Sequence, residues 1–297
     1  MAGMSEKQTV LVTGGAGLIG SYLIELLLQK GYRVVSLDNY FIGQEASHIP
    51  GAEYVKGHTK QIEELLGHEN PEIIFHLAEY SRIRQSFAEP DVVWDLNIAG
   101  SFAVFEYWRK RKCRLLYAGS STRFALGDVG RNASPYAFMK ATNVDLVNNY
   151  GAWYGLPYAI TYFYNNYGKR ELSTGPYASV IGNFKTLYLE GNPLPVIAPG
   201  TQKRNFTFAG DTARGLLLAG EQGQGDGYGL ASKESFSILE LAQLFTDNIE
   251  MLPEVPGDRK DASIETEKAE KEFGWKAERH LKDYVEDIKA GRDLSRW

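Results

Sequence analysis

Short runs of consecutive apolar residues, rich in β-branched side chains, alternate with longer stretches of helical period through the first half of the chain. Residues 9–14 (TVLVTG) read as a buried strand, and LIGSYLIELLLQKG after them as a helix ended by Gly31. YRVVSLD, EYVKG, EIIFHLA, RLLYAG and YAITYFYN are further strands. KQIEELLGH, PDVVWDLNIAGSFAVFEYWRKRK and SPYAFMKATNVDLVNNYGAWYG are the helices between them. Such alternation predicts an α/β fold, a Rossmann-type doubly wound parallel sheet covered on both faces. Beyond Gly168 the punctuation changes: Gly and Pro interrupt GNPLPVIAPGTQKRN, and shorter elements lead to a helical end, EKAEKEFGWKAERHLKDYVEDI. The expected division is a dinucleotide-binding domain over residues 1–168, rejoined near 206–220, and a smaller C-terminal substrate-binding lobe over 169–297.

Composition narrows the function. The 297 residues are 43% hydrophobic and 23% charged, an ordinary globular balance, and a net charge of −5 without a basic tract argues against a nucleic-acid partner. The single cysteine, Cys113, excludes an internal disulfide and a cysteine-based zinc site, and it reads as a buried strand residue. No apolar run reaches the ~18 residues of a membrane span, and MAGMSEKQ lacks a signal-peptide core, so a cytoplasmic protein without a membrane partner is expected.

Two patterns carry chemistry. TGGAGLIG sets Gly14, Gly17 and Gly20 between a strand and a helix, where glycine permits a tight turn and close approach of a pyrophosphate to the helix N-terminus. The next strand ends in Asp38-Asn39, 24 residues beyond Gly14, where an acid accepts ribose hydroxyls and repels a 2′-phosphate. NAD rather than NADP is the expected cofactor. The second pattern, GSSTRFALGDVGRNASPYAFMK, holds Thr122, Tyr136 and Lys140. Tyr136 and Lys140 lie one helical turn apart on one face. A nearby ammonium favours the phenolate of a tyrosine whose free pKa is about 10.

With these motifs in this order the chain resembles the extended short-chain dehydrogenases/reductases that act on nucleotide sugars, a group of epimerases and dehydratases. FHLAEYSRIRQSFAEP, NIAGS, YFYNNYG, GTQKRNFTFAGD and PGDRKDASIETEKAEKEFGW are similar to further segments of that family. The resemblance implies catalysis by Thr122, Tyr136 and Lys140. It implies a cofactor wall of Gly14, Gly17, Leu18, Ile19, Asp38, Asn39, Leu77, Ala78, Glu79 and Ser120 with Tyr136 and Lys140. It implies a nucleotide-diphospho-sugar held by Ser81, Thr122, Asn165, Arg204 and Arg259, no metal, and a homodimer built on two long helices, the first carrying Phe102, Phe105 and Trp108.

The chain also departs from the family. Gly57-His58 stand where Gly-Asp contacts adenine, which passes that role to His58 or Thr59. Glu79 replaces an alanine, Ser81 aligns with a lysine of some epimerases, and Val255 takes one common place of an arginine. Arg123-Phe124 replace the Asp-Glu that dehydratases use for elimination, and neither supplies an acid at neutral pH. The expectation is therefore an NAD-dependent 4-epimerase. The alternatives are a C4 dehydrogenase or reductase, a 4,6-dehydratase in which Glu79 supplies the missing acid, and a binding protein without catalysis.

Overall fold

The computed structural model describes residues 7–124, 130–254 and 264–297. Seven strands form one parallel sheet: β1 (Thr9–Thr13), β2 (Arg33–Asp38), β3 (Glu53–Lys56), β4 (Ile73–His76), β5 (Arg114–Ser120), β6 (Tyr158–Phe163) and, far along the chain, β11 (Gly225–Leu230). Their spatial order is β11-β6-β5-β4-β1-β2-β3, so the winding reverses between β1 and β4. In sheets wound this way ligands bind outside the carboxyl ends of the strands at that switch point.

The apolar runs read from sequence are these strands because both faces of the sheet are buried. One face takes α1 (Leu18–Gln29) and α7 (Ala209–Gln222), with Leu23, Leu27, Ala213 and Leu216 packed against Val10, Val12 and Phe75. The other takes α4 (Gly100–Arg111) and α5 (Pro135–Tyr154), with Phe105, Trp108, Val144 and Val147 on Leu11, Leu115 and Ile160. Ser134 caps α5 by accepting from the Ala137 amide (3.0 Å), Pro135 opens its first turn, and left-handed Gly155 ends it. Of KQIEELLGH only α2 (Ile62–Leu66) is α-helical, after a 3-10 turn over Thr59–Gln61.

The stretch before α4 is irregular. α3 (Pro90–Val93) passes into a π-helical turn, Trp94–Ala99, before α4 begins. Within it Asn97 is fully buried. Its amide accepts from the Tyr80 N–H (2.6 Å) and donates to the Tyr80 carbonyl (3.1 Å), while the Asn97 carbonyl accepts from Asn143 Nδ2 of α5 (2.5 Å).

The rest of the second half supplies short pairs. They are β7 (Asn166–Tyr167) with β10 (Thr207–Phe208), β9 (Lys203–Asn205) with β12 (Ser235–Ser237), and β8 (Leu194–Ile197) with β13 (Ile249–Leu252). Around them pack α6 (Val180–Leu189), α8 (Ile238–Phe245), α9 (Glu267–Phe273) and α10 (Leu281–Lys289). The last residue, Trp297, is buried against Tyr167, Phe208 and Tyr284, and its indole donates to Asp287 (2.7 Å).

Two sequence expectations change. Cys113 lies one residue ahead of β5 and is only partly buried; its carbonyl accepts the Trp108 indole N–H (2.9 Å), which turns the chain from α4 into the strand. Phe105 and Trp108 are sealed under the protein's own sheet, whereas Phe102 is half exposed.

Candidate active site

The carboxyl ends of β1, β2, β4, β5 and β6 open into a cleft of about 1600 Å³ that continues to β9 and the start of α6. That volume exceeds the ~300–1,000 Å³ of a site for one drug-sized molecule, as a site for a dinucleotide plus a second ligand must.

Gly14 turns out of β1 with φ +78°, and a β-carbon there would sit 2.8 Å from the Ala78 nitrogen and 2.9 Å from the Leu77 carbonyl carbon. A β-carbon on Gly20 would meet the Gly14 carbonyl oxygen at 2.2 Å. Only glycine fits both places. Gly17 caps α1 without a side-chain hydrogen bond, so the amides of the first turn stay available to an anion at the positive end of the helix. Leu18 and Ile19 line the cleft beside them.

At the end of β2 Asp38 is almost buried. Its oxygens accept from the amides of Ala16 (2.9 Å) and Tyr40 (2.8 Å), each keeping acceptor capacity toward the cleft. Burial pushes its pKa up, and the Tyr40 and Ala16 hydrogen bonds offset part of that rise. Asn39 lies on the rim, accepting from the Phe41 amide (3.1 Å). Thr59 lines the cleft, but His58 is not among the lining residues. His58 caps the Thr59–Gln61 turn, with Nδ1 accepting from the Lys60 amide (3.0 Å) and Nε2 lying 3.2 Å from Asp95. The cleft thus passes the histidine by.

Thr122, Tyr136 and Lys140 share one wall. Thr122 Oγ1 donates to Ser120 Oγ (3.0 Å), and both residues are buried where β5 ends. Tyr136 is nearly buried with Tyr80, Val93, Leu96 and Met139. Lys140 Nζ donates to the Ala118 carbonyl and the Glu79 carboxylate and lies 4.8 Å from the centre of the Tyr117 ring.

Glu79, expected only as an oddity of the cofactor wall, is the acceptor of a buried network. Its Oε1 takes hydrogen bonds from Ser101 (2.9 Å), Tyr117 (3.0 Å) and Asn143 (2.7 Å), and its Oε2 takes Lys140. Burial alone pushes this carboxyl up, but the Lys140 charge and the donated hydrogen bonds outweigh it and hold the group below the usual carboxylate range. Glu79 is therefore ionised at neutral pH, which counts against the alternative in which it supplies the acid of a dehydratase.

Toward the second half, Asn165 (φ +28°) donates to the Asn205 carbonyl (3.0 Å), and Arg204 donates to the Lys203 carbonyl (2.8 Å); both line the cleft. Ser81 accepts from Arg82 (3.1 Å) and lines it as well. Arg259 lies outside the described residues. Sequence reasoning missed a bridge across the mouth. Arg82 donates to the Tyr177 carbonyl (2.6 and 2.8 Å), Gln85 to the Pro176 carbonyl (2.5 Å), and the Tyr80 and Tyr177 hydroxyls both donate to Glu89. Phe41 packs on both tyrosine rings. The arginine and tyrosines carry no motif, so only the fold reveals their convergence. Among the described residues no group of three or more His, Cys, Asp or Glu could hold a metal ion, and no helix is long and apolar enough to cross a membrane.

Known proteins share this fold. Residues 10–231 match the model of the NAD dependent epimerase/dehydratase family. A putative UDP-glucose 4-epimerase of Methanocaldococcus jannaschii is 28% identical over 297 residues, 94% of this chain and 96% of that protein. A probable dTDP-glucose 4,6-dehydratase of Sinorhizobium fredii is 26% identical over 92% of this chain and 89% of its own length. Among solved structures, UDP-glucose 4-epimerase of Thermus thermophilus in complex with NAD superposes with a TM-score of 0.87 at 24% identity, covering 96% of this chain and 99% of that one. The glycine cradle, the open helix N-terminus and the Asp38 carboxylate fit the same cofactor here. A chain with this sheet, this cleft and a family match over three quarters of its length belongs to the NAD-dependent epimerase/dehydratase family.

Proposed function

We propose that the protein is an NAD-dependent nucleotide-sugar 4-epimerase, which oxidises C4 of the sugar and restores it with inverted configuration. One observation carries this reading. The cleft unites Thr122, Tyr136 and Lys140 beside the cofactor loop, while the additional carboxylate on that wall, Glu79, is ionised and committed to four donors. Bound at the strand ends, NAD supplies reversible hydride transfer. Tyr136, helped by the Lys140 ammonium, takes the proton of the C4 hydroxyl and later returns it. Thr122 hydrogen-bonds the same oxygen and orients it. Gly14, Gly17 and the α1 amides hold the pyrophosphate, Asp38 the adenosine ribose, and Lys140 the second ribose; Asn165 and Arg204 contact the substrate's nucleotide diphosphate.

Elimination of water needs an acid and a base beyond this set. Arg123 and Phe124 stand in their usual places, and Glu79, ionised and held by four donors, brings no proton in place of the acid. The test is a panel of nucleotide sugars in deuterated water, with products read by NMR and mass. An epimerase gives the C4 epimer with no solvent deuterium at C5 and no change in mass. Loss of one water with deuterium incorporation would establish a dehydratase, loss of carbon dioxide a decarboxylase, and stoichiometric NADH release a dehydrogenase.

We also propose a homodimer. Trp94, Phe102, Phe138, Trp153 and Tyr154 are large apolar side chains left exposed on the π-helical turn, α4 and α5, and related proteins pair these helices. Sedimentation at micromolar concentration is expected to give a species twice the 33.2 kDa chain; a monomer alone would refute it.

A further inference from the structure

A line of buried hydrogen bonds runs from the cofactor loop to the catalytic helix. It begins at Thr13, the last residue of β1, whose Oγ1 lies 2.7 Å from His76 Nδ1. His76 Nε2 lies 2.9 Å from Ser101 Oγ, and Ser101 donates to Glu79 (2.9 Å). His76 is fully buried, and that burial pushes its imidazole down to about 4, so it is neutral and donates through one nitrogen only. Ser101 spends its proton on the carboxylate and therefore accepts from His76 Nε2–H, which leaves Nδ1 to accept from Thr13. Every donor along the line points toward Glu79.

Tyr117 from β5, Asn143 from α5 and the Lys140 ammonium close on Glu79 from the other sides. Lys140 itself meets Glu79, the Ala118 carbonyl and the Tyr117 ring, and Tyr136 lies on the same helix face one turn before it, with the Arg82 charge and the Tyr117 hydroxyl in its electrostatic surroundings. Glu79 is the one ionised carboxylate in this set, and its side chain and that of Lys140 are 3% and 6% exposed. So deep a charge is poorly screened by solvent and acts strongly on its neighbours.

We propose that Glu79 is a positioning residue, a fixed buried counter-ion that anchors Lys140 and raises the pH at which the Tyr136–Lys140 pair releases its catalytic proton. The inference rests on reading Tyr136 and Lys140 as the base, and it concerns the pair as a unit because the two side chains stand one turn apart on one face of α5. With Glu79 ionised, the ammonium is already neutralised when Tyr136 must lose its proton. Without that negative charge the pair carries a net positive charge and gives up a proton more readily, whichever residue the proton leaves.

The test replaces Glu79 by Gln in the NAD-loaded enzyme. The acid limb of the kcat/KM profile is expected to move down by roughly one to three pH units, the span of a close charge. NMR titration of ring-labelled tyrosine, with Tyr136→Phe for assignment, should show Tyr136 ionising lower by the same amount. Glu79→Asp keeps the charge but draws it back from Lys140, and it should fall between the two. An acid limb and a Tyr136 titration that stay in place or move up would overturn the proposal. Should Glu79→Gln not fold, Glu79→Asp decides the matter in the same way, a wild-type titration overturning it. The NMR titration needs no substrate. A shifted Tyr136 in an enzyme that turns over no nucleotide sugar would sink the proposed function alone, and turnover without the shift would sink this inference alone.

Discussion

Gly14→Ala tests whether the cofactor cradle is set by backbone contact or only by the hand of the turn. The substitution meets two costs. Alanine at φ +78° lies in the left-handed region, which costs about 1–2 kcal/mol. Its β-carbon also falls 2.8 and 2.9 Å from backbone atoms of Ala78 and Leu77. Those atoms have little freedom to retreat, because both amides donate to Thr13 Oγ1 at 3.2 Å. Overpacking of this kind adds roughly 1–3 kcal/mol. Gly155→Ala is the control: φ is +64° with nothing within 4 Å of the added carbon, so only the first cost applies. In urea unfolding of the NAD-free protein, Gly14→Ala should lose about 2–5 kcal/mol and Gly155→Ala about 1–2. NAD affinity should fall roughly tenfold or more in the first variant, since one lost amide–phosphate bond exceeds about 1.4 kcal/mol, and stay unchanged in the second. Equal destabilisation by the two variants would refute the contact argument.

Three other outcomes follow from the site. Asp38→Ala should weaken NAD about 10- to 100-fold by calorimetry and bring NAD and NADP affinities together, because the carboxylate that excludes a 2′-phosphate is gone. Tyr136→Phe should lower kcat about 10²- to 10⁴-fold with NAD still bound; Thr122→Val should also slow turnover, while Thr122→Ser retains the hydroxyl and the rate. Burial pushes the Glu171 carboxyl from 4.5 up to about 7, against the Ser179 hydrogen bond and Lys185, so the folded protein holds a proton that the unfolded chain releases. That stability is complete below pH ~4.5 and is lost as pH rises to about 7, of the order of 3 kcal/mol. Glu171→Gln should flatten the denaturation profile over that window.

The parts of the fold that were legible in the sequence are those fixed by local chemistry. Runs such as VLV and RVVSL need two buried faces, the glycines of TGGAGLIG need a turn and a close approach, and Ser134-Pro135 starts a helix wherever it stands. The remainder depends on partners distant in sequence. Glu79 reads as an isolated departure until α4, β5 and α5 bring it Ser101, Tyr117, Asn143 and Lys140 from 22 to 64 positions away. His58 looked like a replacement for an adenine-binding acid, but its neighbours Lys60 and Gln61 turn it into a cap. Phe102 and Phe105 are equally apolar, and only the rotation of α4 on the sheet decides which one faces out.

The π-helical turn at Trp94–Ala99 fixes the angular phase between two stretches of one helix. Each residue of an α-helix advances the chain by about 100°, so removing one residue from this turn would regularise the hydrogen bonds and swing everything before it by that angle. Asn97 would leave the Tyr80 backbone, its carbonyl would return to the helical ladder, and Asn143 would lose the acceptor that ties the catalytic helix to the loop after β4. A one-residue deletion that improves the secondary structure would therefore remove one of the ties between the loop after β4 and the helix bearing Tyr136 and Lys140, and leave Glu79 to link them through Lys140 and Asn143. The defect in the helix is the timing gear of the site.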